Sequence, residues 1–186
     1  MSPRLLRPHY QADAFVFWTL TIHERGTGWL NERFHSTFRE ALLHAAAREG
    51  LFCPAYCLMP DHIHLVWMGL RKSTDQRNGM KSLRTNLGRA LKPAEFQHQA
   101  HDHVLDPLER TANVLPVRCS EYVLFNPVRA GLVAKPQEWK HTGAVIPGYM
   151  DVNPFDADYW PWMWKRYAAM REPGIEERII PPRRME

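Results

Sequence analysis

Apolar residues in the first seventy positions of the chain alternate between strand-like and helix-like spacing. Residues 15–23 are β-branched and aromatic, which predicts a first strand. From 31 to 49 the apolar residues recur at helical spacing, and Gly50 follows where a C-terminal cap belongs, which predicts an amphipathic helix. Residues 51–59 and 62–68 then predict two further strands joined by a tight turn.

The pattern beyond the third strand predicts helices and one more strand. Residues 71–79 are polar and predict a loop, and an apolar stripe over 80–91 predicts a second helix. Residues 107–125 are mostly of helical character. A fourth strand has two candidates, residues 103–105 and residues 114–117.

Two local features leave alternatives open. Pro54 interrupts the second predicted strand and indicates either an edge position or an irregular start. The His-rich stretch 98–103 has a composition that suits a metal cluster, but its spacing matches no structural zinc pattern, so a solvated loop is the favoured interpretation.

The order of these elements predicts the fold class. Strand, helix, strand, strand and helix in succession indicate an α+β sandwich in which helices lie on one face of an antiparallel sheet. The natural candidate is the ferredoxin-like split βαβ arrangement. A length of 186 residues suits one domain, or a domain with an appended tail.

Composition indicates the cellular compartment. No run of 18 apolar residues occurs and the first residues lack the apolar centre of a signal peptide, so we expect a cytoplasmic protein without a membrane partner. The three cysteines, Cys53, Cys57 and Cys119, have no paired metal-ligand spacing. They fit a reducing compartment and structural roles.

Basic residues are concentrated in one segment. The net charge is +4, but residues 71–92 alone carry +6 and leave the rest of the chain at −2. Such a block is a candidate phosphate-binding surface, although a solvated helix face would have the same composition. The seven basic residues are Arg71, Lys72, Arg77, Lys81, Arg84, Arg89 and Lys92.

Two histidines stand one residue apart on the third predicted strand. Because side chains alternate along a strand, His62 and His64 point to the same face, while Ile63 and Leu65 point to the other. Two imidazoles on one face can share a metal ion, and imidazole alone would favour zinc or another transition metal. The alternative is a pair of ordinary histidines on a strand.

A second polar pair follows about sixty residues later. Tyr122 and Asn126 are four residues apart and share a face if the chain is helical through Asn126. Because Pro127 follows, Asn126 could instead cap a short new helix. In the Pro- and Trp-rich tail, Trp160, Trp164 and Tyr167 have helical spacing, which favours an element packed on the core over a base-stacking surface.

Taken together, the segments Met59-Pro60-Asp61-His62-Ile63-His64 and Tyr122-Val-Leu-Phe-Asn126-Pro127-Val-Arg129 resemble the single-tyrosine HUH transposases. Their order and separation are similar to the REP-associated tyrosine transposase branch, within the IS200-like class. The resemblance implies a transposase domain over residues 1–135. It also implies a C-terminal extension over residues 136–186 that packs on this domain, with its last residues disordered.

The resemblance also implies residue roles. His62 and His64 would be metal ligands, Asn126 a third polar contact to the metal, and Tyr122 the nucleophile. Arg129 would join the seven basic residues of segment 71–92 in binding DNA. The implied cofactor is Mg²⁺ or Mn²⁺ in place of zinc, and Asp61 stands where many relatives carry Asn.

These roles imply an activity. A divalent ion would polarise a phosphodiester of single-stranded, hairpin-forming DNA while Tyr122 attacks it, giving a 5′-phosphotyrosine link and DNA transposition. One alternative is a catalytically silent relative that only binds structured single-stranded DNA. The other is a metal hydrolase that uses His62, His64 and a carboxylate.

Overall fold

The computed structural model describes residues 6–105, 114–149 and 152–174. Short 3-10 turns occupy Arg7–Tyr10, His23–Arg25 and Pro136–Glu138. The strands are β1 (Phe15–Thr21), β2 (Leu51–Met59), β3 (His62–Gly69), β4 (His101–Leu105) and β5 (Thr142–Val145). The helices are α1 (Glu32–Glu49), α2 (Gln76–Ala90), α3 (Val114–Leu124), α4 (Asn126–Arg129) and α5 (Tyr159–Met170).

The strands form one sheet in the order β4-β1-β3-β2-β5, and the pairs between neighbours are antiparallel. The predicted α+β class is therefore confirmed. Of the two candidates for a fourth strand, residues 103–105 lie in β4 and residues 114–117 lie in α3. The loop interpretation of 98–103 is wrong for 101–103, because His101–Leu105 pairs with β1.

Capping residues set the ends of the two helices that follow β1 and β3. The Asn31 side chain accepts a hydrogen bond from the Phe34 amide at 2.9 Å, and Gly50 ends α1 in the left-handed conformation at φ 65°. Asp75 accepts hydrogen bonds from the amides of Arg77 and Asn78. The second helix therefore begins at Gln76, earlier than the apolar stripe predicted, and only the first part of 71–79 is loop.

The sheet has helices on both faces. The first face, which carries Trp18, Leu65 and Trp67, is covered by the predicted helices α1 and α2. The second face, which carries Phe52, Val66 and Met68, is covered by α3 and α5. The prediction of helices on one face holds for α1 and α2 but is wrong for α3 and α5, because the apolar residues of the second face need a cover of their own.

Pro54 lies inside the sheet. Its strand β2 has neighbours on both sides, so the edge position is wrong. The irregular alternative is right, because the register with β3 shifts between Phe52 and Ala55. The Tyr159 hydroxyl of α5 donates to the Pro54 carbonyl at 2.6 Å, which fixes α5 against this irregularity.

The C-terminal segment is joined to the sheet in two ways. Strand β5 pairs with β2, and α5 buries Tyr159 and Met163 in the core of the second face. Trp160, Trp164 and Tyr167 are partly buried against the same core, so the packed interpretation of these aromatics is confirmed. The division at residue 135 stays a prediction, and the terminal residues 175–186 lie outside the described part of the chain.

The cysteines have no disulfide partners. Cys53 and Cys57 are buried and Cys119 is half-buried, all as free thiols. Burial raises the pKa of Cys53 to about 12, so this thiol stays protonated, as a structural role requires. In the described ranges, no helix is long and apolar enough to cross a membrane.

Candidate catalytic and metal-binding site

His62 and His64 converge on the second face of the sheet. In the β1–β3 pair they stand opposite Thr21 and Thr19. Their rings are 4.5 Å apart between centroids, and the two Nε2 atoms are 3.0 Å apart. Ile63 and Leu65 are buried in the core of the first face, as the alternation predicted.

Neighbouring side chains engage the other nitrogen of each ring. The Asp61 carboxylate lies 2.6 Å from His62 Nδ1, and because a carboxylate only accepts, Nδ1 is the donor and Nε2 is the atom that faces His64. His64 Nδ1 lies 2.9 Å from the Thr19 hydroxyl, which can donate or accept. A proton or a metal ion between the two Nε2 atoms therefore satisfies both rings.

Asp61 is itself held in place. Arg25 Nη1 donates to its second carboxylate oxygen at 2.9 Å. Burial alone would raise the pKa of Asp61, but the hydrogen bonds from Arg25 and His62 outweigh it and lower this pKa. Glu24 and Arg25 have φ of 54° and 57°, a left-handed backbone that non-glycine residues seldom adopt. Arg25, Asp61 and His62 thus form a fixed chain of contacts behind the histidine pair.

His64 is the more buried histidine of the pair, with 8% of its surface exposed. Burial, with repulsion from His62 and Arg129, lowers the pKa of His64 to about 3. Its ring is therefore neutral at physiological pH. A neutral imidazole is the form that binds metal ions.

The donor set fits a cation with open coordination positions. Two donors in adjacent positions of an octahedral ion, with bonds of about 2.1 Å, lie about 3 Å apart, as the Nε2 atoms do. In the part of the chain that the structure describes, no group of three or more His, Cys, Asp or Glu is arranged to hold a metal. The two Nε2 atoms would thus fill two positions of such an ion and leave the others to further ligands.

Tyr122 stands on α3 beside the histidine pair. Its ring centroid is 6.3 Å from that of His64 and 6.0 Å from that of Phe17 on β1. Its side chain is 50% exposed, although α3 packs on the core through Val123 and Leu124. One helical turn on, Phe125 is 43% exposed. A packed helix therefore presents a phenol to solvent next to two imidazoles.

Arg129 of α4 covers the Tyr122 ring. Its guanidinium carbon lies 3.9 Å from the ring centroid, and Nη2 donates to the Tyr122 carbonyl. Both contacts orient the tyrosine, and the cation over the ring adds a positive charge to the site. Arg129 is exposed, so it is also accessible to a phosphate.

Asn126 is the first residue of α4, so the interpretation as a side-chain cap before the helix is wrong. Its Nδ2 donates to the Tyr122 carbonyl at 3.0 Å, and only 9% of the residue is exposed. Because the amide nitrogen is engaged with α3, the amide oxygen is the atom that would bind a metal. Its role as a ligand stays a prediction.

The predicted DNA-binding residues of segment 71–92 lie away from the histidine pair. Helix α2 packs on the first face, whereas His62 and His64 are on the second. Arg77, Lys81 and Arg84 line a groove of about 460 Å³ together with His98 and Gln99. Arg84 donates to the carbonyls of Gln97 and His98, which fixes one wall. Arg71, Lys72, Arg89 and Lys92 are exposed outside this groove.

Sequence reasoning missed Thr19, Phe17 and Arg25 as parts of the site. Thr19 and Phe17 reach His64 only through the β1–β3 register, and Arg25 reaches Asp61 across 36 positions. The available signal was the strand prediction for 15–23, whose pairing partner the sequence did not identify.

Comparisons with known proteins identify relatives. No family model matches the chain. A Haemophilus influenzae protein, inferred to be a REP-associated tyrosine transposase, is 22% identical over 152 residues, which cover 73% of this chain and 82% of that protein. A solved structure of a REP-associated tyrosine transposase bound to a REP hairpin has a TM-score of 0.63 at 19% identity, covering 76% of this chain and 82% of that one. The predicted resemblance is thus confirmed as distant homology.

Proposed function

We propose that this chain, a distant homologue of REP-associated tyrosine transposases, cuts and rejoins single-stranded, hairpin-forming DNA through a covalent tyrosine intermediate. The observation that carries the proposal is the half-exposed Tyr122 in ring contact with His64, whose Nε2 lies 3.0 Å from that of His62. If these residues served only to pack the core, Tyr122 would be buried, whereas half of its surface is exposed.

A divalent cation would be held by His62, His64 and the amide oxygen of Asn126. When bound, Mg²⁺ or Mn²⁺ would withdraw charge from the scissile phosphate and make its phosphorus more electrophilic. Asp61 and Thr19 would hold the two imidazoles in orientation, since each contacts an Nδ1 atom.

Tyr122 would supply the nucleophile. Its phenolic oxygen forms a bond to phosphorus while the bond to the 3′ oxygen breaks. The phenol loses its proton to water, and the departing 3′ oxygen gains one, so the products are a 5′-phosphotyrosine and a free 3′-hydroxyl. A 3′-hydroxyl of another strand can reverse the reaction, which joins DNA without ATP. Arg129, stacked on Tyr122, would steady the ring and offset phosphate charge.

The substrate class follows from exposure and from the relative. Tyr122 on α3 and Phe125 just after this helix are exposed aromatics, and an unpaired, flexible strand can adapt to them more readily than a stiff duplex. The solved relative is bound to a REP hairpin. For this chain, the groove lined by Arg77, Lys81 and Arg84 would hold the folded part of such a DNA.

Covalent adduct formation tests the proposal. The wild type, with Mn²⁺ and labelled single strands from the repeats flanking its own gene, should give a protein band shifted by attached DNA, whereas duplex should give none. Tyr122→Phe should bind the strand but form no adduct. Tyr56→Phe is the matched control and should keep the adduct. Mapping of the DNA to Tyr56 or Tyr149 would overturn the assignment of the nucleophile.

The same experiment separates the alternatives. A catalytically silent binder would retain the hairpin and give no adduct in any protein. A hydrolase that uses metal-bound water would cut DNA equally well after Tyr122→Phe. The binder is the stronger alternative, since the basic groove is present on the first face independently of the histidine pair.

A further inference from the structure

Strand β4 carries two exposed histidines on the second face of the sheet. In the β1–β4 pair, His101 stands opposite Thr19 and His103 opposite Phe17. Residues directly opposed in an antiparallel pair point to the same face. Thr19 contacts His64 at 2.9 Å and the Phe17 ring lies 5.1 Å from the His64 ring. His101 and His103 therefore lie on the face that holds the catalytic pair.

Four side chains thus share this face of the paired strands, and we name them the β1–β4 floor: Phe17, Thr19, His101 and His103. His101, Thr19 and His64 are one row across three strands, so the backbones of His101 and His64 are about 10 Å apart. His101 and His103 are exposed, and Phe17 and Thr19 are half-buried. The floor adjoins Tyr122, because the Tyr122 ring contacts Phe17.

The same strand also borders the basic groove on the first face. His98 and Gln99, just before β4, line that groove beside Arg77 and Lys81. Asp102, between the two floor histidines, points to the first face and accepts a hydrogen bond from Tyr10 at 2.6 Å. None of the four floor side chains is acidic, and β4 is the edge of the sheet between a positive groove and the catalytic face.

We propose that an unpaired DNA strand crosses β4 and lies on the β1–β4 floor, so that nucleotides next to a hairpin held in the groove reach Tyr122. This inference rests on the proposed function. The imidazoles and the Phe17 ring offer flat π surfaces on which any base can stack, and imidazole N–H groups donate to phosphate oxygens. The floor would thus bind the strand with little sequence preference and place its backbone over the histidine pair.

Binding of two DNAs tests the floor. One is a hairpin alone and the other is the same hairpin with a single-stranded extension, both measured in the Tyr122→Phe protein so that cleavage does not consume the DNA. His101→Ala with His103→Ala should weaken the extended hairpin by about tenfold and leave the plain hairpin unchanged. His44→Ala, an exposed histidine on α1, is the control and should change neither. Arg77→Ala with Lys81→Ala should weaken both DNAs.

Affinity for the plain hairpin reports whether the histidine variant is folded. If the histidine variant does not fold, the Tyr122→Phe protein with its natural β4 is used instead. A photo-crosslinking thymidine in the extension should then label peptides that contain residues 101–105 or Phe17. Equal loss on both DNAs, unchanged binding of the extended hairpin, or labelling confined to other segments would overturn the proposal. The binding test does not require cleavage, so it is independent of adduct formation by the wild type. Absence of the adduct would refute the proposed function without affecting the interpretation of the binding test.

Discussion

Each face of the sheet carries a tyrosine beside two histidines and an arginine, and the two clusters differ in burial. On the first face, the Tyr56 hydroxyl lies 2.8 Å from His35 Nε2 and accepts from Arg39 at 3.0 Å. His141 packs on His35 with ring centroids 5.2 Å apart. On the second face, Tyr122 stands beside His64 and His62 under Arg129.

Burial decides what these residue types can do. Tyr56 is 0% exposed, and a Cβ on Gly143 would approach its hydroxyl to 2.7 Å, so no substrate reaches it. Burial raises the pKa of Tyr56 to about 12, although Arg39 opposes this. Tyr122 instead shows half its surface to solvent. The first cluster therefore holds α1 on the sheet, and the second has the access that chemistry requires.

The largest difference should appear when one histidine of each cluster becomes glutamine. His64→Gln removes an imidazole donor from the converging pair and should lower the rate of DNA cleavage at least about a hundredfold. His35→Gln should leave that rate unchanged, because it contacts Tyr56 on the other face. Single-turnover cleavage with Mn²⁺ measures both. Equal rates for His64→Gln and the wild type would refute the metal assignment.

The contact behind the histidine pair should matter less than the pair itself. Asp61→Ala removes the acceptor that holds His62 Nδ1, so Mn²⁺ affinity should fall about 10- to 100-fold. A Mn²⁺ titration followed by electron paramagnetic resonance checks this. Glu40→Gln on the exposed side of α1 is the control. An affinity unaffected by Asp61→Ala would mean that Asp61 serves to pair with Arg25 and does not orient the metal ligand.

Stability should respond in the opposite order to activity. Tyr56→Phe leaves His35 and Arg39 without the hydroxyl between them and should lower the free energy of unfolding by about 1–3 kcal/mol. Tyr122→Phe removes an exposed hydroxyl and should change it by less than about 0.5 kcal/mol. Urea denaturation of both variants measures the difference. A larger loss for Tyr122→Phe would reverse the structural roles assigned to the clusters.

The smallest effect expected is on the pH dependence of stability. Burial, with repulsion from His141 and Arg39, lowers the pKa of His35 to about 4 from the 6.5 of an unfolded histidine. The unfolded chain therefore binds a proton first, and this contribution to stability is lost as pH falls from 6.5 towards 4. His35→Gln should lose less stability than the wild type between pH 7 and pH 5. Burial also lowers the pKa of His64, so the free energy of unfolding of His35→Gln should still decrease as the pH falls.

Local patterns in the sequence identified the elements that carry the site. The alternation in β3 correctly put His62 and His64 on one face, because a strand has a fixed two-residue period. The helical spacing of α1 and its glycine cap were equally direct. For Tyr122, the helix was predicted from local pattern, but its place beside His64 is a tertiary contact that only the family resemblance implied.

Pairing across the sheet could not be predicted in the same way. Residues 101–103 are polar, so nothing in their own pattern distinguishes an edge strand from a loop, and β4 is defined by its partner β1. The basic segment was correctly recognised as charged, but charge does not indicate which face a helix covers. Met80, Leu83 and Leu87 place α2 on the first face because they belong to the same buried core as Trp18 and Trp67.

The pairing of β5 with β2 determines how the protein responds to C-terminal truncation. A fragment ending at residue 135 would lose β5 and α5 and leave the backbone donors and acceptors of β2 without partners on one side. It would also uncover Phe52, which packs against Tyr167 at 5.6 Å between ring centroids. An apolar strand laid open in this way is a template for intermolecular aggregation, so such a minimal fragment should precipitate instead of reporting on catalysis.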